Sequence, residues 1–327
     1  FTFDKNARNH FITNTLNLPY SGMLPGFIEG MYSWKDINID LYKLCLMGNI
    51  RFILDEVKNI NGFKKNIILK NRPPIEFDYL SINSGINNNF SDIVGAKKFS
   101  IPLKPFSKIK FKFLNKAKKI KNIAVIGGGA AGIEVSLAIK KRLTNDNVNV
   151  LIFTGEKGLI PNFNKIAKNL AKRELEKSNI KIIYNDPVLI IQKDFLITKN
   201  NLKFKADKFI LATNGKPPKW LIKTDLKLSE NGFIKTNTKF QTNFDYIFSS
   251  GDIIDFNNLK LSKSGVYAVK SGDILTKNLR SLILKKKLSE FKPQKHVLSL
   301  IGLSNNKALA TKGFFSSISK LNFKLKK

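Results

Sequence analysis

Gly127, Gly129 and Gly132 carry the strongest chemical signal in the chain. Their G-x-G-x-x-G spacing suits a turn whose backbone N–H groups meet a pyrophosphate. The first glycine permits the tight turn, the second lets the backbone approach the phosphates, and the third lets a helix pack close to a strand. A second place suited to a ligand is Gly251-Asp252, where a carboxylate can accept hydrogen bonds from hydroxyls and a glycine lets the backbone come near; helix N-capping is the alternative, compatible role for Asp252, and the ligand role is favoured. A third is Ser84-Gly85, the small-residue end of the run 78–85. With one cysteine, Cys45, and two histidines, His10 and His296, the chain can close no internal disulfide and offers no usual zinc ligand set, so no metal is expected. Cys45 lies in an apolar helical stretch and reads as core packing ahead of a reactive thiol.

The elements that must position these residues follow from hydrophobic period. Residues 123–126 form a short apolar, β-branched run, as a buried parallel strand requires. Residues 130–143 continue at helical spacing and 148–153 give a second apolar strand, so the glycines sit in a βαβ unit and the helix N-terminus faces the phosphates. An amphipathic helix is expected over 164–178, strands over 181–184, 188–192, 194–198 and 208–212, and a charged connector over 115–121. Before it, 10–14, 51–54, 66–69 and 79–82 read as strands, 37–47 as helical and 20–26 as a Gly/Pro-punctuated loop. After it come an apolar strand at 246–248 and a helix over 265–282. From Gly313 the chain is basic and shows no clear stop element.

Composition bounds the class. At 327 residues with 43% hydrophobic residues, the chain is globular and long enough for two α/β domains. The uncharged stretch 11–28 is broken by Asn, Pro and Gly, so it lacks the roughly 20 apolar residues of a spanning helix. No secretory signal is seen and a cytoplasmic location fits. The net charge is +33. It reads either as attraction to an anionic surface or, the favoured reading because the lysines are spread evenly, as composition bias. No stacking-aromatic or recognition motif for nucleic acid accompanies it.

Taken together, the βαβ glycine turn, the Ala212-Thr213-x-Gly215 end of a strand and the late Gly251-Asp252 resemble the pyridine nucleotide-disulfide oxidoreductase superfamily. Segments 20–32, 37–44 and 261–272 look like its type II NADH dehydrogenase-like branch, found beside selenide, water dikinase. The resemblance implies an α/β fold of two interleaved Rossmann-like domains, with the NAD(P) domain inserted into the FAD domain. The expected division is 1–115 and 217–327 for FAD and 116–216 for NAD(P)H. Phe1 in place of Met marks a fragment that starts inside the first FAD unit, whose own glycine turn is missing, so weak FAD retention is expected. The lone cysteine departs from the disulfide-reducing and sulfide-oxidising relatives and points to hydride transfer from NAD(P)H to flavin without a cysteine pair. Quinone is the acceptor the branch implies, with peripheral contact to the inner face of the membrane.

The resemblance also assigns residues. Gly127, Gly129, Gly132, Glu134, Thr154 and Gly215 belong to NAD(P)H. Glu134 either faces the nicotinamide end or complements the helix dipole. Thr154 stands where an acid normally binds the ribose, and the following Glu156 and Lys157 select neither NADH nor NADPH. Ser84, Gly85, Val57, Tyr20, Met23, Gly251, Asp252 and Lys263 belong to FAD, with Met23 shielding the ring, Val57 offering its backbone to the adenine and Lys263 near the flavin's pyrimidine edge. No acid/base residue is assigned as catalytic. The tail 314–327 mixes apolar and basic residues, read either as an interfacial segment or, preferentially, as a core helix. Three rivals remain: a flavin-dependent oxidase or monooxygenase, a non-catalytic nucleotide module in selenium metabolism, and a degenerate gene fragment.

Overall fold

A computed structural model describes residues 7–88, 90, 92–104, 109, 120–143, 147–213, 215–259, 261, 263 and 265–326. The chain divides into two compact units, both discontinuous in sequence. The first unit comprises Phe1–Tyr20, Asn38–Asn87 and Lys216–Gln294; the second comprises Ser21–Ile37, Asn88–Gly215 and Lys295–Lys327. The middle segment is thus close to the expected 116–216, but the second unit also takes Ser21–Ile37, residues 88–115 and the C-terminal stretch. Packing explains this. Phe27, Ile28 and Ile37 from one end and Ile301, Leu303 and Leu309 from the other lie in one buried cluster with Ile123, Val125 and Ile133. Residues 115–119 of the expected connector, and Asn214, lie outside the described residues.

The second unit is built on a five-stranded parallel sheet in the order Ser100–Pro102, Lys208–Leu211, Asn122–Ile126, Asn149–Phe153, Ile180–Ile183. Its central strand is buried throughout, with Ile123 and Val125 at 0% exposure, which is why it reads as an unbroken apolar run. Helix Ala130–Arg142 turns Ile133, Leu137 and Ile139 to the core, and helix Lys165–Lys177 turns Ala167, Ala171 and Leu175, one residue per turn. Asn164 caps the latter by accepting the Ala167 N–H at 2.8 Å. An antiparallel set, Val188–Ile191, Phe195–Thr198 and Lys203–Lys205, packs Val188, Ile191 and Leu196 against Phe153 and Phe209. The C-terminal stretch forms a meander, Ser299–Leu303, Lys307–Lys312 and Phe315–Ser319, and then helix Lys320–Lys326. The tail thus folds into regular elements, and its terminal helix is only partly buried. Leu321 and Leu325 stay 65% and 62% exposed while Asn322 is buried.

The first unit contains shorter pieces. Parallel pairs join His10–Thr13 to Arg51–Leu54, Leu80–Ile82 to Ile247–Ser249, and Ile234–Thr236 to Ile254–Phe256. Val57–Asn61, Asn66–Leu69 and Ile75–Glu76 make an antiparallel meander. Phe240, Phe248 and Phe256 centre the core, against which the half-buried Tyr267, Ile274 and Leu279 of helix Gly265–Ile283 pack. Residues 38–40, expected as helix, pair instead with Asn17–Pro19. The helix begins at Leu41 because Asp40 accepts the Lys43 N–H at 2.9 Å and caps it there.

Candidate functional site

In the second unit the glycine turn leaves the central strand and enters helix Ala130–Arg142, and each glycine answers a different demand. Gly127 has φ +127°, and a Cβ on it would stand 2.5 Å from the Ala212 carbonyl oxygen. A Cβ on Gly132 would stand 1.8 Å from the Gly127 carbonyl oxygen, so only glycine allows the helix to sit on its own entry turn. Gly129 is the helix N-cap, and nothing lies within 4 Å of the position its Cβ would take. That open space lies directly before unpaired helix N–H groups, the arrangement that receives phosphate. The residues present therefore fit a dinucleotide pyrophosphate.

The other residues assigned here divide. Thr154 is 1% exposed, and its hydroxyl oxygen accepts the Asn185 N–H at 2.9 Å. Its methyl also packs against the turn, since a Cβ on Gly128 would meet Thr154 Cγ2 at 2.8 Å. Thr154 thus braces the loop from a buried position, its hydroxyl oxygen accepting from Asn185 and its methyl packed against the turn. Glu134 accepts the Gly302 N–H at 2.6 Å and pairs with Lys326 of the terminal helix. Both side chains are largely buried, and the Glu134 carboxylate is held between the C-terminal meander and the terminal helix. Gly215 begins the short strand Gly215–Lys216, three residues beyond the close approach of Ala212 to Gly127.

In the first unit the pair Leu80–Ile82 and Ile247–Ser249 brings two turns side by side. The Ser249 hydroxyl donates to the Ile82 carbonyl at 2.9 Å, and so does the Ser250 N–H at 3.1 Å. Gly251 has φ +78°, and a Cβ on it would lie 2.5 Å from Asn83 Oδ1; Gly85 has φ +66° and open space around it. The 83–85 and 250–252 turns are therefore joined, as the assignment of Ser84, Gly85, Gly251 and Asp252 to one ligand requires. Asp252 lines a cavity of about 350 Å³ with Asp255, Lys263, Tyr267, Ser271 and an aromatic wall that includes Phe233 and Phe256. That volume lies at the lower end of the ~300–1,000 Å³ of ligand sites, enough for part of a flavin nucleotide. Lys263 stands over the Phe233 ring at 4.1 Å, and its ammonium donates to the Ile254 carbonyl. Burial lowers its pKa, more than the Asp252 and Asp255 carboxylates raise it.

Val57 and Tyr20 of the first unit are not among the residues that line this cavity, and Met23 belongs to the second unit. Val57 opens its meander strand opposite Leu69 and packs on the first unit's core. Tyr20 is 50% exposed at the end of a first-unit segment, while Met23 packs on the second unit's core. The 20–26 loop is thus divided between the two units, Tyr20 closing a segment of the first and residues 21–26 belonging to the second. Sequence reasoning missed Asp55, which follows the strand Arg51–Leu54. It is 5% exposed and accepts hydrogen bonds from Glu56 N–H at 2.7 Å, Asn71 N–H at 3.1 Å and Asn71 Nδ2 at 3.1 Å. Burial pushes its pKa up, but these hydrogen bonds and nearby Arg72 outweigh burial and hold it below the usual carboxylate range. The signal was an acid ending an apolar run. Among the described residues no group of three His, Cys, Asp or Glu side chains is set to hold a metal, and no helix is long and apolar enough to cross a membrane.

The sequence model of the pyridine nucleotide-disulphide oxidoreductase family matches residues 7–272. Apoptosis-inducing factor homolog A of Dictyostelium discoideum is 28% identical over 79% of this chain and 68% of its own length. A Methanocaldococcus jannaschii protein named NADH oxidase is 26% identical over 86% of this chain and 66% of its own. The NAD(P)H coenzyme A polysulfide/persulfide reductase of Pyrococcus horikoshii is 28% identical over 55% of this chain, which spans only 41% of that relative. Among solved structures, the sulfide:quinone oxidoreductase of Aquifex aeolicus superposes with TM-score 0.82 at 18% identity, over 98% of this chain and 82% of its own. That likeness shows the fold: Rossmann-type parallel sheets of FAD- and NAD(P)-binding oxidoreductases.

Proposed function

Given that the chain belongs to the pyridine nucleotide-disulphide oxidoreductase family, whose cofactors are FAD and NAD(P)H, we propose that it is an NAD(P)H-dependent flavin oxidoreductase that passes electrons to a small acceptor, with quinone preferred. The observation that carries this reading is the empty space before Gly129 at the head of helix Ala130–Arg142, framed by two glycines that tolerate no side chain. When bound, the nicotinamide supplies a hydride to the flavin, which hands electrons on singly or in pairs. The chain's own residues bind and orient. The turn 127–132 holds the pyrophosphate by backbone N–H groups. Asp252 accepts hydrogen bonds from polyol hydroxyls, with Ser84, Gly85 and Gly251 shaping the approach, and Lys263 places a cation beside it.

Electron passage without a cysteine pair is supported by the single Cys45, 5% exposed, with its thiol pKa pushed up by burial. Quinone draws support from the sulfide:quinone oxidoreductase likeness, which is one of fold alone. Peripheral contact with an anionic membrane belongs to the same reading. Phe314 and Phe315, 83% and 86% exposed, sit beside Lys312, and basic Lys320 and Lys324 follow. The link to selenide, water dikinase rests on segments 20–32, 37–44 and 261–272 alone. Oxygen as acceptor is the second reading, favoured by the relative named NADH oxidase.

The test is anaerobic addition of NADH or NADPH to the flavin-loaded chain, then of a soluble quinone, then of air. Bleaching of the flavin band with rapid recovery on quinone supports the proposal. Recovery only in air, with peroxide or water formed, turns it to the oxidase. Flavin that is bound but never bleached leaves a non-catalytic nucleotide module. Gly129→Val should fold normally, because its side chain enters open space, and should weaken NAD(P)H binding on the order of 100-fold through two or three lost backbone-to-phosphate hydrogen bonds. Unchanged affinity in that variant removes the turn from the site.

A further inference from the structure

We infer that the second unit takes the 2′-phosphorylated dinucleotide, NADPH, and that Lys199 and Lys157 are the residues that select it. The inference rests on the reading of the glycine turn as the pyrophosphate site and extends it to the adenosine end of the ligand. The loop 154–160 lies against that turn. The Ile160 N–H donates to the Gly128 carbonyl at 2.8 Å, and a Cβ on Gly128 would meet Thr154 Cγ2 at 2.8 Å and the Gly158 carbonyl at 3.2 Å. A dinucleotide with its pyrophosphate at Gly129 therefore carries its adenosine ribose over the start of this loop, past the end of the strand Asn149–Phe153. Thr154 is buried and spent on Asn185, and Gly155 leaves open space, so the first side chains that can meet the ribose are Glu156 and Lys157.

Selection of NADH needs a carboxylate presented to the ribose diol with its charge uncompensated. Glu156 is not in that state. Lys199, on the loop after strand Phe195–Thr198, places its ammonium 2.5 Å from Glu156 Oε1. The pairing holds the Glu156 carboxylate below its ordinary pKa and raises that of Lys199, in each case first through the hydrogen bond between them. The loop bearing Lys199 is itself fixed, since the Lys199 N–H donates to the Pro187 carbonyl at 2.8 Å and the Asn200 N–H donates to buried Asp186 at 3.0 Å. Lys199 thus contacts the one carboxylate at the end of the strand, and the charge of neighbouring Lys157 acts on the same group. Both partners of the pair are more than half exposed, so the ion pair is weak and exchangeable. A ribose 2′-phosphate, carrying more charge than Glu156, displaces it from Lys199 and gains Lys157 as a second cation. Glu156 is the placeholder that holds Lys199 toward the subsite.

The test is binding, independent of turnover. The chain is titrated with NADPH and NADH, and with 2′,5′-ADP and 5′-AMP as probes of the adenosine end, by protein fluorescence or calorimetry at low and high salt. NADPH and 2′,5′-ADP should bind at least ~10-fold tighter than their unphosphorylated counterparts, with the margin shrinking in salt as screening weakens exposed charge pairs. Lys199→Met should cut NADPH affinity by about 10-fold and raise NADH affinity, because Glu156 is released to the diol. Lys157→Met should cost less, and Glu156→Gln should tighten NADPH. Equal or tighter binding of NADH in the unaltered chain, or a Lys199→Met variant with unchanged preference, overturns the inference while leaving the nucleotide site standing. Failure of all four ligands to bind, with Gly129→Val indistinguishable from the parent, is the separate failure of the underlying reading.

Discussion

On the function proposed here, the two units would hold their ligands by different means. The second has a five-stranded parallel sheet, and at its centre a turn shaped by backbone geometry: Gly127 and Gly132 admit no Cβ, and Gly129 leaves open space at the head of its helix. The first offers side chains, Asp252, Asp255 and Lys263, around a cavity at the end of a two-stranded pair. A backbone site is set by where glycines fall along a chain. A side-chain site is set by tertiary packing, and the same Asp or Lys elsewhere would mean nothing. The units should accordingly fail in different ways when altered.

The largest effect should come from Gly132→Ala. A methyl 1.8 Å from a carbonyl of its own turn cannot be accommodated by rotation of a side chain, so helix and strand must separate. Overpacking of a core costs about 1–3 kcal/mol and more where backbone must move. Urea unfolding should show loss of the second unit's stability, whereas Gly129→Val keeps it. Equal stability in the two variants would break the distinction between a glycine needed for packing and one needed for ligand. Lys326→Met should come next in size. It strands the buried Glu134 carboxylate with only the Gly302 N–H as partner, and removing one member of a buried pair costs up to ~3–5 kcal/mol, the lower part of that range here because both retain some exposure. Glu134→Gln with Lys326→Met should recover much of it. A melting temperature indifferent to Lys326 would mean that the C-terminal meander is not tied to the dinucleotide helix through this pair.

In the first unit, Asp55→Asn addresses the buried carboxylate. Its pKa is lowered on folding, so its contribution is complete above the unfolded value of about 3.9 and disappears as pH falls through the lower folded value. The stability gap between parent and variant should therefore be flat from neutral pH down to mildly acidic pH and should close only below about pH 4. A gap that grows on acidification would reverse the sign assigned to Asp55.

These contrasts also explain what the sequence could and could not reveal. The parallel sheet was legible because strands buried on both faces are continuous apolar runs, and Gly127 to Gly132 because backbone geometry leaves its mark on residue type. Helix Lys165–Lys177 was readable from Ala167, Ala171 and Leu175 at helical spacing. The partnerships of Glu134 with Lys326, and of Glu156 with Lys199, were not legible. They join positions far apart in a chain so rich in lysine that no single one stands out, and only the fold selects the partner. The burial of Thr154 and its bond to Asn185 were not legible either, because its place at the end of a strand says nothing of what packs over it. The packing of the C-terminal region was not legible, because sequence adjacency does not reveal that Ile301, Leu303 and Leu309 lie in one cluster with Ile133.

The smallest effect concerns Cys45, and it sharpens the contrast from the side of the first unit. If that unit serves only to hold a flavin, its single thiol has no part in electron flow. Cys45 is 5% exposed in helix Leu41–Met47, and burial raises its pKa, which leaves little of the thiolate that nucleophilic or redox chemistry requires. Cys45→Ala removes one sulfur from a buried position and, because the deleted group is small, should cost only modest stability, while the rate of NAD(P)H-driven acceptor reduction stays within about twofold of the parent, less than about 0.5 kcal/mol on the barrier. The same independence should appear as insensitivity to a thiol-alkylating reagent under native conditions. Loss of turnover in the variant with flavin still bound, or inactivation that tracks alkylation of Cys45, would show that the first unit contributes a sulfur to the reaction, and the reading of electron transfer without cysteine would have to be given up.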